Sequence, residues 1–398
     1  MASDDSTASG RATAGPAAGA PAPAPARALA ERGLSSVAAH RPEVEAAIEF
    51  VHAHPELAHE EEACARFLAG QLEHAGYAVE RGIAGMQTAF RARLEGRPGG
   101  PAVGIVDLYD AVPAVRADGA VQAVHSCGHG PLAGGVAGAA LAFADLRDEL
   151  SGSVEVIGCP ADELHAPGTR ARGGGKALTA AAGIWDRLDA ALYAHPEFND
   201  TVTLRSRTMR RLVATVAGAR TMDEAVEAPR EAAARALEAA GGGRSDALML
   251  ESMTLDGDVE EGSGMALSAT FFLTADSERA LDALEADLRA GLAGASWTTA
   301  RTVPGIVPDE GVRAAVAQAF AAAGRGFLAD PPPLPFATDF GDISRRVPSA
   351  LIGIGRPGGW EFHTDEGARQ FASPAGVEAA LATASVLALS VVELLGEA

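Results

Sequence analysis

Residues 101–113 read PAVGIVDLYDAVP, an apolar run that closes on two acids, Asp107 and Asp110. A short unbroken apolar run bounded by Pro, Gly and Asp reads as a strand. The segments around it alternate in type. TAFRARLEG (88–96) reads as a strand, LAGGVAGAALAFADLRDEL (132–150) as a helix, and SGSVEVIGCPADE (151–163) as a strand. KALTAAAGIWD (176–186) follows as a helix and DAALYAHPE (189–197) as a strand. Residues 28–78 read as two helices split at HPEL, where Pro55 interrupts the helical spacing. Strands alternating with helices predict an α/β fold with a mixed, mostly parallel sheet and helices on its faces.

After about residue 199 the character changes. A long strand (201–219), a helix (222–240), strands near 246–256 and 263–274 and a helix at 276–293 suit a compact α+β unit of βαββαβ-like order, placed here as an inserted lid over 199–304. The catalytic domain, begun over 28–198, then resumes over 305–398. It resumes with a helix at 309–324, a loop at 330–348, the strand SALIGIG (349–355) and a closing helix from Pro374 to Leu395. Residues 1–27, rich in Ala and Pro with acids where a signal peptide is basic, are expected to be a disordered tail.

Composition narrows the function. A formal net charge of −21 argues against nucleic acid or anionic lipid as a partner, since both need a basic face. No run of about 18 strongly apolar residues is expected to span a membrane. Three scattered cysteines, Cys64, Cys127 and Cys159, suit a cytoplasmic setting rather than a disulfide framework. The run GTRARGGGKAL lacks phosphate-loop spacing and has Ala177 where a hydroxyl would touch magnesium, so it is expected to be a flexible Gly loop. It carries Lys176, the sole lysine.

The chemistry-bearing residues fall at strand ends. Asp107 and Asp110 close the first strand, Cys127 and His129 enter a helix, and Asp162 and Glu163 follow VEVIGC. His195 ends AALYA, and His363 lies beyond ALIGIG. Ligand sites in open α/β sheets form beyond the carboxyl ends of strands, so these residues can converge. A thiolate, three imidazoles and one or two carboxylates can hold one or two divalent ions, with Zn²⁺ the default and Mn²⁺ or Co²⁺ possible. Asp110 could fix the tautomer of a ligand imidazole. Of Asp162 and Glu163, one could bind metal while the other takes a proton from water. Taken singly, each signal has an ordinary reading too: a core Cys-x-His turn, a solvated Asp-Glu turn, a satisfied buried His195. Joint placement at one sheet edge favours the metal.

HAHPELAHEEEACARFLAGQLEHAGY, YDAVP, HSCGHGPLAG, CPADE, GGGKALTAAAGIWDRLDAALYAHP, ATDFGDISRRVPS and FHTDEGARQFAS occur in this order. In that order they resemble the zinc-dependent amidohydrolase, aminoacylase and carboxypeptidase family, near its p-aminobenzoyl-glutamate hydrolase and Xaa-Arg dipeptidase branch. The resemblance covers about residues 40–395. It implies a catalytic domain interrupted by a dimerising lid and metal ligands at Cys127, His129, Glu163, His195 and His363. It also implies a general base at Asp162, and N-acyl amino acids or small peptides as substrates. Three departures stand out. The base is an aspartate where the family carries glutamate, one methylene short. Gly130 and Leu108 stand where acidic or amide residues are common. No histidine lies between His195 and His363, where relatives use a lid histidine to hold an oxyanion; Arg220 is a candidate substitute. These departures leave two alternatives beside hydrolysis: a biosynthetic member with altered amide chemistry, or a metal-binding homologue without turnover.

Overall fold

The computed structural model describes residues 24–165, 167–219, 222–239, 247–256, 265–334 and 338–396. Helices α1 (Ala24–Ala39), α2 (Arg41–Ala53) and α3 (Glu62–His74) come first, then strands β1 (Ala78–Arg81), β2 (Phe90–Glu95) and β3 (Arg97–Asp107). A hairpin of β4 (Val112–Val115) and β5 (Val121–Val124) leads to helix α4 (His129–Leu146), strand β6 (Ser151–Gly158), helices α5 (Pro167–Arg172) and α6 (Gly175–Ala181), and strand β7 (Ala190–Glu197). The second unit comprises β8 (Thr208–Ala219), α7 (Met222–Ala239), β9 (Ala247–Asp256), β10 (Met265–Ala275), α8 (Glu278–Gly291) and β11 (Ser296–Thr299). The chain closes with α9 (Glu310–Ala322), α10 (Phe340–Ser344), β12 (Ser349–Gly355), α11 (Asp365–Phe371) and α12 (Pro374–Leu395).

The large sheet has the order β1-β2-β6-β3-β7-β12. Strands β6, β3, β7 and β12 run parallel, and β2 and β1 add an antiparallel edge. The parallel strands are buried on both faces at their centres, and every residue of β7 up to Pro196 is buried. Helix α4 is apolar all round and lies between α2 and α12, where its small residues permit close approach. A Cβ on Gly135 would come within 2.5 Å of the Thr383 side chain of α12.

The second unit is a four-stranded antiparallel sheet, β11-β8-β10-β9, in βαββαβ order. Leu284 and Leu288 of α8 close its core against Leu212 and Phe271.

Several expectations need correction. Helix α1 begins at Ala24, inside the stretch expected to be a tail, and residues 1–23 lie outside the described residues. Residues 28–53 form two helices, not one, because Pro42 opens a new helix at its first turn. The helix expected over 176–186 stops at Ala181: the chain turns through left-handed Gly183, and the Trp185 indole donates back to Thr179 Oγ1 at 3.0 Å. The strand expected over 201–219 is two segments. Thr201 and Leu204 hydrogen-bond to Gly353 and Leu351 of β12, so this part edges the large sheet, and the crossing to the smaller sheet comes after it. Helix α12 is long and apolar enough, by length and composition, to cross a membrane, contrary to expectation. Its apolarity has another use, since it packs against α4, α9 and α1 and supplies Val386, Leu387 and Val391 to the core.

Candidate metal centre

Each expected site residue sits at the carboxyl edge of the parallel strands. Asp110 lies three residues past β3, Cys127 between β5 and α4, and His129 at the first position of α4. Asp162 and Glu163 follow β6, His195 is near the end of β7, and His363 lies between β12 and α11. Two backbone features bring them together. The His363 N–H donates to Ser126 O at 2.8 Å, holding that loop against the Cys127 turn in a left-handed conformation, φ 58°. Gly128, φ 93°, separates the two ligand candidates of the HSCGH turn, and a side chain there would strike Pro196 and Phe371.

The side chains converge. The ligand atoms of Cys127, His129 and His195 lie within 4.8 Å of one another, as do those of Cys127, Glu163 and His363, and those of His129, Asp162 and Glu163. Both buried imidazoles are pre-set for a cation. His129 Nδ1 is 2.7 Å from Asp110 O and 3.1 Å from its Oδ1. His195 Nδ1 is 2.7 Å from Pro196 O. A proton on each Nδ1 leaves the Nε2 lone pair facing the cluster, and a carbonyl or carboxylate behind a ligand histidine serves this purpose at metal sites. Asp110 also accepts from the Glu163 N–H through Oδ2 at 2.8 Å, tying the β3 and β6 ends together.

The electrostatics fit a divalent ion. His129 Nε2 is buried without a hydrogen-bond partner. Burial would lower this ring, yet Asp110 and Asp162 outweigh it and hold the imidazole protonated well above its ordinary range, so a bound cation would take the place of that proton. Burial, reinforced by Glu163, pushes the Cys127 thiol well above the ordinary range, so that only a directly bound cation would hold it as thiolate. Burial would raise Glu163, yet hydrogen bonds from His165 and His363 outweigh it and hold this carboxyl well below its usual value. Burial and the nearby His129 lower His195 to about 4, which keeps its ring neutral, as a metal ligand must be. Sulfur, imidazole nitrogen and carboxylate oxygen together suit a borderline-soft ion.

Four residues were missed by the sequence reading. His165 Nε2 lies 2.7 Å from Glu163 Oε2. Glu61, fully buried, accepts from the His59 and Ala161 N–H groups, each at 2.8 Å, and from Thr88 Oγ1 at 2.9 Å. Lys176 is 1% exposed, with its ammonium between Asp162 Oδ1 and Asp339 Oδ1, so its loop is not a flexible one. Asp339 accepts from the Ala177 N–H at 3.0 Å. Only His165 left a signal in the sequence, a histidine two positions after a ligand candidate. Arg220, the expected stand-in for a lid histidine, lies outside the described residues.

The cluster opens into a cavity of about 720 Å³ between the two sheets. Cys127, His195 and Phe362 line it on one side and Arg211, Glu251 and Phe272 on the other. Arg211 Nε donates to Glu251 at 2.9 Å, with its guanidinium 5.1 Å from the Phe272 ring centre.

Fold and site define a two-domain α/β protein with a candidate metal centre beneath a small antiparallel domain. The chain belongs to peptidase family M20/M25/M40, whose model matches residues 109–388. It is 32% identical over 155 residues to a p-aminobenzoyl-glutamate hydrolase polypeptide of Escherichia coli strain K12, 36% of this chain and 30% of that protein. It is 29% identical over 153 residues to the N-acyl-L-amino acid amidohydrolase of Geobacillus stearothermophilus, 36% of this chain and 38% of that protein. These matches span about a third of each curated relative. Among solved structures, the Bacillus subtilis YXEP protein, a dinuclear metal binding peptidase from the M20 family, superposes with a TM-score of 0.67 at 18% identity, covering 89% of this chain and 99% of that one. The aminobenzoyl-glutamate utilization protein of Klebsiella pneumoniae gives 0.60 at 14% identity, covering 89% and 97%.

Proposed function

We propose that this protein is a metal-dependent amidohydrolase that cleaves the amide bond of a small N-acyl amino acid or dipeptide-like substrate. Cys127, His129, Glu163, His195 and His363 would hold the metal, with zinc the first choice by donor type. The observation that carries this reading is the pair of buried imidazoles, each with Nδ1 held from behind and both grouped with the Cys127 thiol. Two of the ligand groups contain Cys127, so its thiolate would belong to the ligand set whether one ion or two are bound.

Bound there, the ions supply Lewis acidity for the amide carbonyl and an acidified water. The chain's own residues do the rest. Asp162, with Oδ2 free to face the cluster, takes the water proton and returns it to the leaving nitrogen. Asp110 fixes the His129 tautomer, and His165 orients Glu163. The cavity between the sheets would hold the scissile bond beside the cluster. We place the protein in the cytoplasm and pair it as a homodimer. Three free cysteines support the first, because Cys127 must stay reduced, and the exposed edge of β9 supports the second.

The test is ion content by mass spectrometry together with turnover of a panel of N-acyl amino acids and dipeptides by the zinc-, manganese- and cobalt-loaded protein. Cys127→Ala is expected to lose at least one ion per chain and at least about a hundredfold in kcat/KM. Unchanged ion content in Cys127→Ala would overturn the site. Full metal loading without turnover of any amide would favour a metal-binding homologue or one with altered amide chemistry.

A further inference from the structure

The run GGGK (173–176) is a packing device rather than a loose loop. Gly174 allows Asp339 to close in, since a Cβ there would meet its Oδ2 at 2.3 Å. Gly175 lies against the turn after β6, where a Cβ would meet Pro160 O at 2.2 Å, and its N–H donates to that same oxygen at 2.8 Å. The next residue is thereby delivered beneath the Pro160–Glu163 turn. Lys176 is there, its ammonium bonded to Asp162 Oδ1, 3.0 Å from Asp339 Oδ1 and 5.2 Å from the Tyr193 ring centre. It does not line the cavity, whereas Asp162, Tyr193 and Asp339 do.

A buried ammonium is costly unless paired, and two carboxylates this close repel unless a cation sits between them. The arrangement therefore constrains Asp162 as much as it satisfies the lysine. With Oδ1 taken by the ammonium, the carboxylate cannot turn about its last bond, and Oδ2 stays 3.6 Å from His129 Nε2 on the ligand side. We propose that Lys176 is a positioning residue for the reaction, fixing the Asp162 carboxylate so that one oxygen always faces the metal-binding cluster. The inference rests on the amidohydrolase reading, with Asp162 as its proton acceptor. It accounts for how a short side chain serves: rotation is removed, and proton transfer depends steeply on placement.

The sole lysine gives a direct probe. Full-length, metal-loaded protein labelled with ¹⁵N at the lysine side chain carries one Nζ resonance, and Asp162→Asn is expected to shift it and speed its proton exchange. Lys176→Met is expected to lower kcat at least about thirtyfold with KM within about threefold and the ion content unchanged. In an Asp162→Asn background it should add no further loss, because both changes remove the same oriented carboxylate. An Nζ resonance indifferent to Asp162→Asn, a folded Lys176→Met with wild-type kcat, or losses that multiply in the double variant would each overturn the proposal. If Lys176→Met does not fold, the resonance in Asp162→Asn still decides. Should the wild type turn over no amide, the functional reading falls, and the resonance alone judges the pairing.

Discussion

At Ala161 one backbone angle determines which way two carboxylates point. Its φ of 62° is left-handed, a conformation that costs a non-glycine residue about 1 kcal/mol or more, and it splays Asp162 and Glu163 toward different partners. Glu61 holds it there through the Ala161 N–H. Burial first, and then the charge of Asp110, raise the Glu61 carboxyl to about 7. An acid whose folded value lies above its unfolded one binds more protons when folded, so its contribution is full below about 4.5 and is lost as pH rises toward 7. Glu61→Gln cannot ionise. Its unfolding free energy relative to wild type should therefore improve by about 3 kcal/mol between pH 4.5 and pH 8. Urea unfolding of metal-free protein at both pH values checks this, and a pH-independent difference would show that Glu61 keeps an ordinary carboxyl. The ligand candidates could be read from the sequence because strand ends advertise themselves through apolar runs that stop at a polar residue. Glu61 and Lys176 could not, because nothing in a local pattern separates a buried, paired charge from a solvated one. Their burial depends on distant segments, about a hundred residues away at Ala161 for one and at the turn before α10, Asp339, for the other.

Helix α4 shows what an element can hide. Its run of small residues reads as a helix from the sequence, but the same composition also sets how near its neighbours come. The 2.5 Å separation between a Cβ on Gly135 and Thr383 leaves no room for even a methyl group. Gly135→Ala removes an entropic penalty of about 1 kcal/mol, yet it forces α4 and α12 apart where both are buried. We expect overpacking to win, with a net loss of about 1–2 kcal/mol in chemical denaturation; a stabilised variant would mean that the helices separate freely. The other elements were legible in proportion to how much of their pattern was local. Strand β12 and helix α12 match their expected bounds, since one is an unbroken apolar run and the other is bracketed by Ser373 and Gly396. The β4–β5 hairpin was missed because its strands are four residues each, too short for an apolar alternation to show. The stretch 201–219 misled because strand-forming residues lie on both sides of the polar crossing at 205–207, and only pairing with β12 shows where one sheet ends.

Across the whole molecule, the site belongs to both units, because the cavity is walled by β8, β9 and β10 residues opposite the candidate metal ligands. The smaller unit must therefore be held in place. On the catalytic side, Arg301 pairs with Asp342 at 2.9 Å and β8 bonds to the returning chain through Met209 and Val303. On its far side it ends in β9, which pairs only with β10 among the described strands and leaves a row of backbone groups open. Met249 and Met253 on this strand are 54% and 39% exposed. An edge carrying exposed apolar side chains invites another strand, and a second copy of the same edge can satisfy it with twofold symmetry. The homodimer proposed above would form here. Sedimentation at micromolar concentration should then give twice the 40.3 kDa chain mass for the wild type, and Met249→Asp with Met253→Asp should shift it to the single-chain mass. Two like charges brought together at a symmetric edge repel in the pair, while the exposed positions leave the folded chain undisturbed. A wild type that sediments at the single-chain mass, or a doubly substituted protein that stays paired, would remove β9 as the dimer edge.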